Sequence, residues 1–222
     1  MTPTALKPSL SHEVARLISI VVHPILLPLL TLGVLTYLAT GGSLYQLQAG
    51  ALQTALGIAG IAVLVTALPI ALLVIIQVLR GRWTDPDVSV RRQRYLLYPF
   101  GVTCMLATAG VFIVAGAPPV AVRATFGIAF ANVLNGFINL RYKVSAHATT
   151  AALCAMLLWL ATPPRDSAIV AVPVSVAAVL VGWSRVALGR HTVGQVMLGW
   201  GVGIFAGFMA IAAPMLIAQA VR

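Results

Sequence analysis

Apolar residues run along this chain in long blocks, parted by short segments where arginine, proline and glycine collect. A helix needs roughly 20 apolar residues to cross the hydrocarbon layer. That length predicts spans over Leu17 to Ala39, Ala51 to Leu79, Leu96 to Ala117 and Val120 to Leu140. Residues 141–150 open a fifth that ends near Ala161, and Ala168 to Trp183 and Thr192 to Ala220 complete the series. The first block is too long for a signal-peptide core and carries His23, Pro24 and Pro28, so it reads as a kinked span. Thr40-Gly41-Gly42-Ser43 breaks the chain after it. The second exceeds the hydrocarbon thickness, so a tilt or a bend at Pro69 is expected. The pattern predicts an all-α polytopic transmembrane helical bundle of about seven spans. It forms one domain over residues 17–222, preceded by a surface arm over 1–16.

Composition settles the class: 60% of the residues are hydrophobic and only 8% charged. A net charge of +10 would suggest nucleic acid in a soluble protein. Here the charges sit in short connections, so the membrane surface and anionic substrates explain them and no nucleic-acid partner is expected. Seven spans put the N-terminus and the connections after spans two, four and six on one face. Those connections hold Arg91-Arg92-Gln93-Arg94, Lys143-Val144-Ser145-Ala146-His147, and Ser184 to His191. Of the 14 basic residues, all but Arg123, Arg165 and Arg222 fall on that face. The excess predicts a multi-pass integral membrane protein with its motif face in the cytoplasm. Cys104 and Cys154 lie inside apolar runs and read as reduced, buried fillers.

Arginine forks bind phosphate oxygens in pairs and stay charged. A nearby histidine can accept a phosphoryl group, and a second can protonate the leaving alkoxide. His147 and His191 open spans on the arginine-bearing face, whereas His12 and His23 are assigned no chemistry. Each sharp reading has a plainer one beside it. His191 as an interfacial residue, the Arg91 to Arg94 run as a topology anchor and Lys143 as a span flank all fit the same residues. Asn132, Asn135 and Asn139 recur at helical spacing and either bond neighbouring helices or line a path to the site. Gly199, Gly203 and Gly207 form a close-packing stripe for another helix, within the chain or in a homo-oligomer.

Ser184-Arg185, five residues, then His191 resembles the third signature of the type 2 phosphatidic acid phosphatase superfamily, Ser-Arg-x5-His-x3-Asp. Val144-Ser145-Ala146-His147 is similar to the second, Pro-Ser-Gly-His. The run Arg91 to Arg94 stands where the first, Lys-x6-Arg-Pro, is expected. The resemblance implies a phosphatase-type membrane core with His191 as nucleophile and His147 as general acid. Arg185, Ser145, Ser184 and Arg94 would be phosphate ligands, supported by Arg91 or Lys143, with no metal and no cofactor. The substrate it implies is a phosphorylated lipid of the phosphatidate or polyprenyl diphosphate class. Five positions depart from the signatures: Val144 and Ala146 replace the Pro and Gly of the second, Gln195 the Asp of the third, and Asp87 and Tyr95 the Lys and Pro of the first. Gln195 lies four residues beyond His191, so on a helix its carbonyl can hold the ring without supplying a carboxylate charge. Asp85 or Asp87 is a candidate for the missing carboxylate. The departures keep two other functions open: a catalytically degenerate lipid-phosphate binder or carrier of the same fold, and a lipid phosphotransferase.

Overall fold

A computed structural model describes residues 9–220, with side chains described to residue 214. Within that range all regular secondary structure is helical. In order the helices are α1 (Leu10–Val21), α2 (Leu26–Ala39), α3 (Ala49–Ala62), α4 (Leu68–Leu79), α5 (Arg94–Val114), α6 (Pro119–Arg141), α7 (Ala146–Ala161), α8 (Pro164–Ala187) and α9 (Val193–Ala220). Five continuous rods are long and apolar enough to cross a membrane, and the bent pair α1–α2 makes a sixth if it counts as one span. The apolar helix α7 falls short at 16 residues, about 24 Å at 1.5 Å per residue. The expected seven blocks are therefore all helices, of unequal reach.

The breaks follow the local chemistry. Pro24 has no N–H to continue α1, and the chain turns by 48° before α2 begins. Helix α1 starts at Leu10, so residues 10–16 of the expected arm are helical and pack with α1 on α8. Residues 1–8 of that arm, Lys7 among them, and Arg222 lie outside the described residues. Between α3 and α4 a π-helical segment, Val63–Ala67, precedes Pro69. The wider turn relieves the clash of a proline ring with the carbonyl four residues back. It also directs the Thr66 hydroxyl onto Cys104 O at 3.2 Å and Thr108 Oγ1 at 2.6 Å across to α5.

Helix α7 is the axis of the bundle, packed by α9, α8, α2 and α6. Its alanines let the neighbours approach closely, and Ala148, Ala151, Leu153, Cys154 and Leu157 are all buried. Apolar side chains on the outer faces of α4 and α8, such as Leu72, Ile75, Val176 and Val179, are exposed as a lipid-facing surface would be. Cys104 and Cys154 are free thiols in the interior, as the sequence suggests.

The glycine stripe of α9 is spent inside the chain. A Cβ on Gly199 would come within 2.8 Å of Ser145 O, one on Gly207 within 2.8 Å of Met156 Cβ, and one on Gly203 would collide with Thr149 O. That face is covered by α7, which corrects its expected use in a homo-oligomer: no second copy can reach it. Gly203→Ala should therefore destabilise the protein by about 1–3 kcal/mol. Gly201→Ala, whose added Cβ meets nothing within 4 Å, should be neutral or gain ~0.5–1 kcal/mol. Thermal unfolding in detergent micelles reads the difference.

Candidate active site

The polar connection between α4 and α5 folds over one end of the bundle. Val88 N donates to Asp85 O at 3.1 Å, closing the turn at Asp85-Pro86-Asp87 that its sequence suggests. The Asp85 carboxylate holds the turn through Ser89 Oγ and Thr84 Oγ1, each at 3.0 Å. Val88 has φ +49°, a left-handed conformation that a β-branched residue adopts only under constraint. Its side chain is buried and its carbonyl accepts Arg94 Nε at 2.8 Å, so packing and one charged hydrogen bond hold it there.

That conformation aims Asp87 inward. Asp87 Oδ2 accepts from Arg185 Nη1 at 2.9 Å, and the same nitrogen lies 2.6 Å from Ser19 Oγ on α1. Arg185 is 1% exposed, and its Nε has no partner. Beyond α8 the backbone folds back, with Arg190 N and His191 N both donating to Arg185 O at 3.0 and 3.1 Å. Gly189, at φ +65°, supplies the left-handed residue this return needs. His191 is thereby delivered beside the arginine that precedes it by six positions. Its Nδ1 lies 2.9 Å from Gln195 Oε1, which also accepts Thr192 N at 3.4 Å. A carbonyl oxygen accepts, so Nδ1 carries the proton and Nε2 keeps its lone pair.

The second wall is the start of α7. Ser145 caps that helix, its Oγ accepting Ala148 N at 3.4 Å, and its own N–H donates to Gln195 O at 3.3 Å. Lys143 Nζ donates to Arg190 O at 2.8 Å, and Arg94 Nη1 to Val144 O at 2.9 Å. These bonds draw the first turns of α5, α7 and α9 to one end of the bundle. His147 is buried there, with Nε2 unpartnered and its ring edge-on to His23 at 5.8 Å between centroids.

His191, His147, Arg185, Arg94, Lys143, Ser145 and Gln195 thus gather at one end. Two expected ligands spend their donors elsewhere. Ser184 is buried and donates to Val181 O at 2.8 Å, a bond within its own helix turn, which corrects its expected role as a phosphate ligand. Arg91 Nη1 donates to Asn139 O at 3.2 Å and Leu140 O at 2.6 Å, closing the end of α6 rather than facing the site. Asp87, offered as a replacement carboxylate for the histidine, is instead bonded to Arg185. The asparagines divide: Asn135 Oδ1 accepts Thr149 Oγ1 at 3.2 Å between α6 and α7, and Asn139 Nδ2 donates to Arg91 O at 3.1 Å. Asn132 and Asn135 also line a cavity of about 180 Å³ that reaches from His147 into the bundle.

Sequence reasoning missed Ser19, His23, Tyr98 and the Asp87–Arg185 pair. A histidine inside an apolar block is itself a functional signal, because burying an ionisable group in a membrane is costly. Nothing in the pattern marks Ser19. Among the described residues, no three His, Cys, Asp or Glu side chains gather as metal ligands would.

The electrostatics of the site favour an anion. Burial, then the positive charges of Arg94 and Lys143, push the His191 imidazole down to about 3, against the opposing bond from Gln195. Burial and the charges of Arg94, Arg185 and Arg190 likewise lower Lys143. His191 should therefore stay neutral far below the usual imidazole range near 6.5. Nitrogen-15 NMR of the ring should show a neutral His191 at about pH 5, where an unperturbed imidazole is mostly protonated. Its unfolded-state counterpart takes up a proton near 6.5, so this group lowers stability as the pH falls from there toward 3. A normal titration midpoint would contradict the buried, cation-flanked setting.

No curated protein and no solved structure matches this chain. The family model for the PAP2 superfamily matches residues 59–216. The matched stretch takes in the strained turn, Arg94, the start of α7 and the return from α8 into α9, and leaves out α1 and α2. With well over half of the chain matched and the signature residues gathered at one end, the protein belongs to the PAP2 superfamily.

Proposed function

We propose that this protein is an integral membrane phosphatase acting on lipid phosphate monoesters or diphosphates, with His191 as nucleophile and no metal requirement. Membership of the superfamily supports a phosphatase-type activity, and the long apolar helices support a membrane setting. The observation that carries the finer reading is the His191–Gln195 bond, which leaves Nε2 as the free, unprotonated ring nitrogen.

In this reading the Nε2 lone pair attacks phosphorus, the bond to the leaving oxygen breaks, and His147 gives that oxygen its proton. His147 then takes a proton from water, whose oxygen attacks the phospho-histidine and releases inorganic phosphate. Arg185, Arg94, Lys143 and the Ser145 hydroxyl neutralise the equatorial oxygens, the chief demand of phosphoryl transfer. Gln195 orients the ring but lends no negative charge to it, so the nucleophile is weaker than one backed by a carboxylate. The cavity beside His147 would take the hydrocarbon tail. The excess of basic residues at this end supports a cytoplasmic orientation for it.

One observation favours a second reading. The carboxylate of Asp87 already occupies Arg185, as it would in a protein that binds lipid phosphates without turning them over. Purified protein in detergent with a chelator present should release inorganic phosphate from phosphatidate or a prenyl diphosphate. His191→Ala should abolish that release, and His147→Ala should slow it by about 10²-fold or more, the usual worth of a general acid. Binding of these lipids with no release by the wild-type protein would favour the binder. Full turnover by His191→Ala would remove the nucleophile assignment.

A further inference from the structure

The cavity beside His147 changes character along its length. Leu32, Ile70, Val74 and Ile128, well inside their helices, wall its far part with hydrocarbon. Tyr98, one turn into α5, and His23, at the α1–α2 break, line the part of it that lies beside His147 and Arg94.

Tyr98 is 5% exposed, the Arg94 guanidinium lies close enough to donate to its oxygen, and its own O–H has no acceptor. A buried O–H left without an acceptor is costly, so one kept free on a cavity wall suits a group that arrives from outside the protein. His23 is a fixed donor. Its Nδ1 accepts Ile25 N–H at 3.2 Å and so carries no proton, which puts the proton of the neutral ring on Nε2. That Nε2 has no partner among the described residues, and the ring stands edge-on to His147. Neither residue belongs to the signatures of the site, and His23 lies outside the matched stretch 59–216.

The next step rests on the phosphatase reading. With phosphorus at His191 and the leaving oxygen at His147, the leaving group must pass Tyr98 and His23 before it reaches the hydrocarbon walls. Two unpaired donors at that point suit an oxygen and would be stranded against a methylene chain. We propose that Tyr98 and His23 form a leaving-group subsite, one that selects phosphate esters whose alcohol carries an oxygen acceptor close to the scissile bond. Acyl-glycerol esters have such an oxygen, whereas alkyl or prenyl phosphates are hydrocarbon from the first carbon.

The test is a ratio, which cancels differences in folded fraction between preparations: kcat/KM for oleoyl lysophosphatidate over that for oleyl phosphate. The wild-type protein should favour the glycerol ester. Tyr98→Phe and His23→Leu should each lower the ratio roughly three- to tenfold, the worth of one neutral hydrogen bond. A wild-type preference for the alkyl ester, or variants in which both rates fall together, would overturn the subsite. Binding of the hydrolysis-resistant phosphonates of the same two esters to His191→Ala protein gives the ratio without turnover. Absence of phosphate release by the wild-type protein would then count against the phosphatase reading alone, and the phosphonate ratio would still decide the subsite.

Discussion

A guanidinium cannot shed its proton to escape an apolar setting, so Arg185, 1% exposed at the end of a membrane helix, must be compensated where it stands. The compensation comes from far along the chain. Asp87 reaches it from the connection before α5, and Ser19 from α1. Each partner then has to be held in turn, and this requirement orders the end of the bundle. Val88 is kept in a left-handed conformation so that the preceding carboxylate faces inward, and Arg94 locks the turn through the Val88 carbonyl. The Arg185 carbonyl takes the N–H groups of Arg190 and His191, so the same residue fixes the approach of the imidazole. Even so, its Nε stays unpaired, and with the free nitrogen of His147 it leaves hydrogen-bonding capacity for an anion at this end.

Helix packing supplies the other half of the site. Glycines at 199, 203 and 207 let α9 lie almost on the backbone of α7, so the two helices start side by side. Their N-termini carry partial positive charge from aligned peptide dipoles and unpaired N–H groups. The bond from Ser145 N to Gln195 O ties those starts together. It couples the residue that caps one helix to the residue that orients the histidine on the next. A side chain added to the stripe would push α9 away from α7 and carry His191 away from His147.

Much of the fold could be read from the chain because membrane helices declare themselves by length and hydropathy. The blocks, the break at Gly41, the turn at Asp85-Pro86-Asp87 and the close-packing stripe are local properties of the sequence. The π-helical segment before Pro69 was readable only as a bend, since a proline can be accommodated in several ways. At the candidate site, His191, His147, Arg94, Arg185, Ser145, Lys143 and Gln195 share one face in the sequence and gather at one end of the bundle. Ser184 and Arg91 share that face, but spacing does not say where a hydroxyl or guanidinium bonds. Ser184 turns to a carbonyl of its own helix, and Arg91 to the end of α6. Asp87 could be counted as a carboxylate near the site, yet whether it served the imidazole or the arginine depended on the conformation of the residue after it.

The N-terminal helix pair shows why a family core does not describe a whole site. The residues matching the PAP2 superfamily begin at 59 and include His147, Arg185, His191 and Gln195. A straight first span would run past these residues and leave the buried Arg185 with one partner. The break at His23-Pro24 lets α1 swing by 48° and lie on α8, which puts Ser19 against the guanidinium. The freed backbone at the break is repaired locally: Leu27 N returns to His23 O, and Ile25 N donates to the ring of His23 itself. That repair fixes the tautomer of an imidazole whose ring already faces His147. One interruption in an apolar block therefore does two jobs, adding a partner to the arginine and lining the cavity beside His147. Proline achieves both because it denies the helix a single N–H at the level of the membrane where the site lies.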